Sequence, residues 1–354
     1  MRNFKTVDLK IVDLKIVKFK TVIVVAVVLC AAAVSPAKLR QVGMVDLPGQ
    51  PGFNEVAMAN GQVVISRPAT NTIEIFSPVK RRVIARISQV DGPRGIAVDD
   101  SASRVYVALS GSNSIAVINS HNWIVEKLVQ VQSRPEKLLW VPETKTLYAA
   151  STFNRTISTI DPIEGRESGV TELNALPEDL VYDASRRELF VCLQDVSEIA
   201  VIDRTNKIVQ RFHVTASEPT GLALDSARNR LYVAVRYAVV VLNLDNGSEI
   251  LRIPAPGGTD ALILDPSGSL LYAAGGDGSV LAIDLNRNVV DHEMSTDVRG
   301  FSLAFDAAHK MLFMPGAREG RSKMVILSPS PLADQGRPQT AENPPKGDQT
   351  AMKK

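Results

Sequence analysis

The sequence has few cysteines and few aromatic residues, and it has no excess of charge of either sign. Only two cysteines, Cys30 and Cys192, occur in 354 residues, which excludes a small domain held together by disulfides. The 40 lysines and arginines nearly balance the 38 aspartates and glutamates. Since 45% of the residues are hydrophobic but only one long apolar run occurs, the chain is neither mainly disordered nor a polytopic membrane protein.

The N-terminal 37 residues have the pattern of a secretory signal peptide. Residues 1–20 carry six basic and two acidic side chains, and an uncharged run from Thr21 to Val34 follows. This run is too short for a helix that crosses a bilayer comfortably, and Ser35-Pro36-Ala37 offers the small residues typical of a cleavage site. We therefore expect cleavage near Ala37 and a secreted or periplasmic protein. An uncleaved membrane anchor is the alternative.

Removal of residues 1–37 changes the charge balance and the cysteine content. Residues 38–354 hold 34 basic and 36 acidic side chains. A domain this close to neutrality has no excess of cations for a phosphate backbone, so we expect no nucleic-acid partner. Cys192 is then the single cysteine, and its apolar neighbours favour a small buried side chain over a reactive thiol.

A period of 42 residues runs through most of the remaining sequence, and three independent sets of positions share it. They are the prolines Pro51, Pro93, Pro135, Pro177 and Pro219, the mostly aromatic series Val64, Tyr106, Tyr148, Phe190 and Tyr232, and the isoleucines Ile73, Ile115, Ile157 and Ile199. Two shorter copies follow in residues 259–284 and 300–327. The chain therefore contains seven repeat units.

Each unit consists of short β-type runs separated by turn residues. In the unit after Pro93, four such runs begin at Gly95, Arg104, Ser114 and Ile124. The runs are rich in β-branched and aromatic residues and lack the period of a helix. Four strands per unit at this period are typical of a β-propeller blade. We therefore predict an all-β, seven-bladed β-propeller with four-stranded antiparallel blades.

The sequence also predicts how the ring closes. The last unit ends after its third strand, Lys323–Leu327, and lacks a fourth. An additional strand, Gln41–Leu47, precedes the first unit at the spacing that a fourth strand has from the next unit. We expect this N-terminal strand to complete the last blade, which pairs an otherwise open sheet edge. The propeller then spans residues 38–330, and the polar residues 331–354 are expected to form a disordered tail.

Two motifs recur at corresponding positions of the units. They are the second-strand motifs Val105-Tyr106-Val107, Leu147-Tyr148-Ala149, Leu189-Phe190-Val191, Leu231-Tyr232-Val233 and Leu271-Tyr272-Ala273, and the third strand Ile199-Ala200-Val201-Ile202-Asp203. In these motifs, and over nearly all of residues 42–327, the chain resembles the YVTN-repeat propellers, secreted and surface-layer-like proteins of bacteria and archaea. The resemblance implies the propeller fold, whereas the activity stays open because the family includes both binding modules and enzymes.

No established catalytic or cofactor-binding motif occurs in the sequence. The four histidines lie in four different units, and the aspartate or asparagine after each third strand is expected to fix a turn rather than bind calcium. Gly275-Gly276-Asp277-Gly278 joins two strands, which indicates a hairpin turn rather than a phosphate-binding loop. We therefore expect neither a metal site nor a cofactor.

The candidate sites follow from the position of residues within the ring. In a propeller, the loops that lead into the innermost strands share one face with the loops between the second and third strands, and ligands usually bind there. The candidate ligand-binding residues of this face are Arg94, Glu136, Arg236, Tyr237 and Arg299. The candidate acids and bases are Glu178, Asp179 and Asp260, because one of two closely spaced acids can have a raised pKa, and the arginines are suited to a carboxylate.

Three functional hypotheses remain open. The first is a non-enzymatic binding module that presents its loop face to a protein, a peptide or another component of the cell envelope. The second is a hydrolase or lyase, similar to the propeller lactonases, that acts at the mouth of the central channel. The third is a partner subunit of a periplasmic redox complex whose cofactor lies in another chain. The absence of a catalytic motif favours the first, with membrane contact only through an uncleaved N-terminal segment.

Overall fold

The computed structural model describes residues 38–330, which form seven four-stranded antiparallel sheets, blades A to G. The described part of the chain begins with β1 (Lys38–Asp46). Blade A contains β2 (Val56–Ala59), β3 (Gln62–Arg67), β4 (Thr72–Ser77) and β5 (Arg82–Ser88). Blade B contains β6 (Pro93–Asp99), β7 (Arg104–Leu109), β8 (Ser114–Asn119) and β9 (Ile124–Gln130). Blade C contains β10 (Lys137–Val141), β11 (Thr146–Ser151), β12 (Thr156–Asp161) and β13 (Arg166–Glu172).

The remaining blades follow in chain order. Blade D contains β14 (Pro177–Asp183), β15 (Glu188–Leu193), β16 (Glu198–Ile202) and β17 (Ile208–His213). Blade E contains β18 (Leu222–Asp225), β19 (Arg230–Val235), β20 (Ala238–Asn243) and β21 (Glu249–Pro254). Blade F contains β22 (Thr259–Leu264), β23 (Leu270–Gly275), β24 (Ser279–Asp284) and β25 (Val289–Ser295). Blade G contains β26 (Ala304–Asp306), β27 (Met311–Arg318) and β28 (Arg321–Ser330), together with β1.

The blades form the predicted seven-bladed propeller. In blades A to F the four strands pair in chain order, and the first strand of each blade is innermost, where it contacts the first strands of neighbouring blades. Four single-turn 3₁₀ helices interrupt the loops, at Pro68–Thr70, Asp100–Ala102, Gln194–Val196 and Ser226–Arg228. No helix in residues 38–330 has the length and hydropathy that a bilayer crossing requires. The expected signal peptide in residues 1–37 and the expected tail in residues 331–354 lie outside the described residues.

The core lies between adjacent blades. Second and third strands are buried on both faces and are mostly apolar, whereas a fourth strand such as β5 alternates between exposed and half-buried residues. Phe190 of β15, for example, packs in one cluster with Leu231 and Val233 of β19 in the next blade. Cys192 lies in the same cluster with no exposed surface, and burial raises the pKa of its thiol. The expectation of a small buried side chain at Cys192 is confirmed.

Aspartate and asparagine side chains fix two sets of turns on the face at which the innermost strands end. The residues after the third strands accept a hydrogen bond from the backbone N–H two residues ahead, as expected for turn formers: Asn119, Asp161, Asp203, Asn243 and Asp284. A second set at the ends of the innermost strands, which the sequence analysis missed, accepts similar bonds: Asp99, Asp183, Asp225, Asp265 and Asp306. These carboxylates are therefore part of the loop structure.

The ring closes as predicted, by pairing of β1 with β28. The two strands are antiparallel from Lys38 opposite Ser330 to Asp46 opposite Lys323, with an irregularity between Gln41 and Gly43. Both strands are longer than the sequence indicated. Strand β28 continues through Pro329 to Ser330 rather than ending at Leu327, and the additional residues pair with the start of β1. Proline is tolerated there since residues 328–330 pair only with β1 and no longer with β27.

A buried arginine fixes the segment that leads from β1 into blade A. The side chain of Arg67 is 1% exposed, and its guanidinium forms an ion pair of 2.9 Å with Glu74. The same guanidinium donates hydrogen bonds to the backbone carbonyls of Pro48 and Gln50 and to the Ser322 hydroxyl of β28, the last at 3.2 Å. Arg67 therefore connects the first blade, the N-terminal segment and the last blade.

Deletion of residues 38–47 removes β1 and opens the edge of β28. We expect unfolding to lose its cooperativity, because the ends of the ring are no longer joined by backbone hydrogen bonds that each contribute roughly 1 kcal/mol. The comparison of calorimetric and van't Hoff enthalpies measures this loss. Deletion of residues 331–354, which removes none of the described strands, is the matched control. An unchanged transition in the first variant would contradict closure through β1.

Substitution Arg67→Met leaves the buried carboxylate of Glu74 and two backbone carbonyls without a major partner. We expect a loss of about 3–5 kcal/mol in the free energy of unfolding, measured by urea denaturation. The control is Arg86→Met, because Arg86 pairs with the same carboxylate from a position that is 44% exposed. Its loss should be only about 1 kcal/mol. Equal losses in the two variants would show that Arg67 has no special role in closure.

Candidate functional site

The central channel opens on the face of the propeller at which the innermost strands begin. We call this the upper face; it also carries the loops between the second and third strands, and the lower face is its opposite. A cavity of about 410 Å³ occupies the channel mouth. It is lined by the first residues of the innermost strands of all blades except blade B, including Glu55, Lys137, Glu178, Asp179, Thr220, Asp260 and Ser302.

The charges at the channel mouth are mostly acidic. Glu178, Asp179 and Asp260, the three candidate acids and bases predicted from sequence, all line this cavity. Glu55 adds a fourth carboxylate, and Lys137 is the one cation among the lining residues. The Lys137 ammonium lies 3.4 Å from a Glu55 carboxylate oxygen. The channel therefore carries a negative charge that its own lysine does not balance.

Irregular backbone at the start of the innermost strands explains why these side chains converge. The pairing register shifts after Pro93, Pro177 and Thr259, and such bulges re-aim side chains and leave backbone donors free. Groups of the neighbouring blade accept the free donors. The Ile96 N–H donates to Glu55 at 3.4 Å and the Val56 N–H to the Ser302 hydroxyl at 3.1 Å. The channel mouth is thus a ring of hydrogen bonds between blades.

Asp179 takes part in these hydrogen bonds between blades, so its carboxylate is not available to a ligand. Its carboxylate accepts the N–H of Leu222 in blade E at 2.8 Å and the N–H of Leu180 at 3.0 Å. Loss of such an acceptor would leave a half-buried donor unsatisfied. Asp179 therefore has a structural role in joining blade D to blade E, as Glu55 has in joining blade A to blade B.

Glu178 and Asp260 are the acids left for chemistry or binding. Burial raises the pKa of Glu178 to about 7, although the positive charge of Lys137 opposes the shift. Enclosure by the channel wall also raises the pKa of Asp260, against the hydroxyl of Thr220 and the charge of Lys137. Burial lowers the pKa of Lys137, but the charges of Glu55 and Asp179 outweigh this effect and raise it, so the ammonium stays charged.

The predicted arginines lie outside the channel lining. Arg94 pairs with Glu136 at 3.6 Å on the rim between blades B and C. Arg236 pairs with Glu218 at 3.2 Å on the rim of blade E. Arg299 lines a separate cleft of about 460 Å³ beside blade G. The structure brings the three candidate acids together, but it does not bring the arginines to them.

Exposed aromatic side chains are confined to the upper face. Within residues 38–330, the exposed aromatic residues are Phe153, Tyr237 and Phe301, with 74%, 68% and 40% of their surface accessible. Phe153 and Tyr237 lie in second-to-third-strand loops of blades C and E, and exposed Val196 lies in the corresponding loop of blade D. The sequence analysis selected only Tyr237. The signal for the others was a phenylalanine in a loop of this face, Phe153 in the turn before β12 and Phe301 in the loop before β26.

No metal centre is apparent in the described part of the chain. No three side chains of His, Cys, Asp or Glu in residues 38–330 lie close enough together to hold one metal ion. The acids of the channel mouth come from three blades, with Glu55 in blade A, Glu178 and Asp179 in blade D and Asp260 in blade F, and they line an open cavity. The arrangement therefore suits an organic cation or a water-filled site better than a coordinated metal.

Comparison with known proteins supports the fold. No family model and no curated protein matches the chain. A solved structure, hydrazine synthase of Kuenenia stuttgartiensis, is similar with a TM-score of 0.67 and 16% identity, and the match covers 76% of this chain and 93% of that one. At this identity the likeness shows the propeller fold alone. Membership of the YVTN-repeat family stays a prediction from the sequence motifs.

The raised pKa of Glu178 predicts a pH-dependent effect of Glu178→Gln. Since the folded-state pKa of about 7 lies above the ordinary 4.5, the native state is favoured below pH 4.5 and loses that advantage as the pH rises through 7. Glutamine does not titrate. The Tm of the variant minus that of the wild type should therefore increase between about pH 4.5 and 8.

Thermal melts across this pH range check the prediction. The matched control is Asp179→Ala, which removes the acceptor of the Leu222 N–H and should lower the free energy of unfolding by about 1–3 kcal/mol at pH 8. A Tm difference for Glu178→Gln that does not vary with pH would show that the carboxyl titrates normally.

Proposed function

We propose that the protein is a secreted or periplasmic binding propeller that recognises a protein or peptide partner on its upper face. The observation that carries the proposal is the position of Phe153, Tyr237 and Phe301, the exposed aromatic residues of the described chain, which share this face. Exposed aromatic rings are costly in water and are enriched at the centres of protein interfaces. The secretory pattern of residues 1–37 supports the location.

The acidic side chains of the channel mouth favour a partner with a positive charge. Glu178 and Asp260 make no ion pair within residues 38–330, and the cavity they line is acidic. A basic side chain of the partner would complement this potential and fix the orientation of the complex. The aromatic residues around the mouth would then contribute apolar contact area. The upper face therefore fits a partner surface that combines a projecting lysine or arginine with exposed apolar groups.

A hydrolase or lyase is the second candidate, supported by the pKa of about 7 for Glu178. A carboxyl with this pKa is able to exchange protons efficiently at neutral pH. The anion clamp that a lactone or sugar acid would need is weak here, because Lys137 is held by Glu55 and the predicted arginines lie outside the cavity. The binding role is therefore the better supported. The third hypothesis is a partner subunit of a redox complex. The likeness to hydrazine synthase supports it only through the shared fold.

To test this proposal, partners are captured from envelope extracts of the native source and identified. The Kd between the identified partner and each purified variant of the propeller is then measured. We expect Phe153→Ser to weaken binding about tenfold without a change in Tm, because exposed aromatic residues dominate interface energies. The control is Ile163→Ser, which changes an exposed apolar residue of the lower face. Equal affinities of wild type and Phe153→Ser, or weaker binding by the control, would contradict the upper-face proposal.

The same protein preparations separate binding from catalysis. Wild type and Glu178→Gln are assayed against a panel of lactones and sugar acids. An enzyme that uses Glu178 as its proton carrier should lose about 100-fold or more in rate in the variant. Turnover by the wild type with this dependence would replace the binding proposal by the enzymatic one.

A further inference from the structure

A groove leads away from the channel mouth between blades E and F. It has a volume of about 300 Å³ and shares Thr220 and Asp260 with the channel cavity, so the two spaces adjoin. Tyr237 forms one wall, and the backbone of Gly257 and Gly258 lines the groove next to it. A Cβ atom on Gly257 would lie only 2.9 Å from the Tyr237 ring, which shows how closely the ring lies against this backbone.

Two glycine-containing segments of blade F meet beside the groove. The Gly276 N–H of the hairpin turn between β23 and β24 donates to the Gly258 carbonyl at 2.9 Å. Gly258 has a φ of +71°, which favours glycine, but a Cβ on Gly276 would be no closer than 3.7 Å to any neighbouring heavy atom. Packing therefore does not require glycine at position 276. Gly276 adjoins Gly258 of the groove lining, so a large side chain at position 276 would lie beside the groove.

The groove has the groups that an extended peptide needs. The N–H groups of Gly257 and Gly258 have no acceptor within residues 38–330, and such donors suit the carbonyls of a bound backbone. The exposed ring of Tyr237 offers an apolar surface to a side chain. Asp260, at the inner end of the groove, carries a carboxylate for a basic side chain.

We propose that the groove between blades E and F binds an extended segment of the partner, whose backbone lies along Gly257 and Gly258 and whose basic side chain enters the channel beside Asp260. The inference rests on the proposed binding function and specifies its ligand as a peptide. A neutral glycan could stack on Tyr237, but it would leave the acidic end of the groove without a complementary charge. The peptide is therefore the better fit.

The test uses the full chain and peptides selected on it from a phage-displayed random library, synthesised with blocked termini. Their Kd is measured by fluorescence anisotropy for wild type, Gly276→Tyr, Tyr237→Ala and Ser112→Tyr. Gly276→Tyr adds a large side chain beside Gly258 of the groove lining, and Tyr237→Ala removes the aromatic wall. Ser112→Tyr, in the exposed turn between the second and third strands of blade B, is the control. A glycan array is probed in parallel.

We expect the selected peptides to contain lysine or arginine and to bind about tenfold more weakly to both groove variants, but equally to Ser112→Tyr. Replacement of their basic residue by norleucine should weaken binding similarly. Unchanged affinity in both groove variants would overturn the groove assignment and leave the binding function standing. Failure to select any peptide would contradict the proposed function itself. Glycan binding that is lost in Tyr237→Ala would overturn the peptide as ligand.

Discussion

The pairing of β1 with β28 is the constraint on which the rest of the molecule depends. The blades of a propeller are separate sheets, so no continuous sheet joins the first blade to the last. Here the last blade joins them, because it combines the first strand of the propeller, β1, with its last three strands. The backbone pairing from Lys38 to Asp46 joins them, and Arg67 fixes the segment that follows by binding the carbonyls of Pro48 and Gln50. A closed ring holds the innermost strands at fixed distances and thereby gives the channel mouth a defined geometry.

That geometry divides the acidic residues of the channel into two groups. Asp179 and Glu55 accept backbone N–H groups of the next blade and so contribute to the ring itself. Glu178 and Asp260 have no such partners, and burial raises their pKa values. A carboxyl group whose pKa is raised by desolvation makes the folded state less stable at neutral pH, and such groups are common at binding and catalytic sites. The upper face therefore combines a structural ring of hydrogen bonds with two carboxyl groups that have raised pKa values.

The repeat predicted the fold better than it predicted the site. The 42-residue period predicted the blades, their strands and the closure of the ring, because every unit packs against its neighbours in the same way and therefore has apolar residues at the same positions. It also placed Glu178, Asp179 and Asp260 at the channel. It missed Glu55, because the first unit departs from the common spacing after its proline. Contacts between blades decide which acids lack a partner and which arginines are paired on the rim. The 42-residue period gives the order of the strands but not the distances between side chains of different blades.

Hydrogen–deuterium exchange of the full chain with and without its bound partner tests the central claim most directly, because it locates the contact without substitutions. The account predicts slower exchange at amides of the upper face, above all Gly257, Gly258 and Tyr237, because bound backbone protects donors that are otherwise open to water. Protection confined to lower-face turns, such as those around Val79 and Ile163, would contradict it.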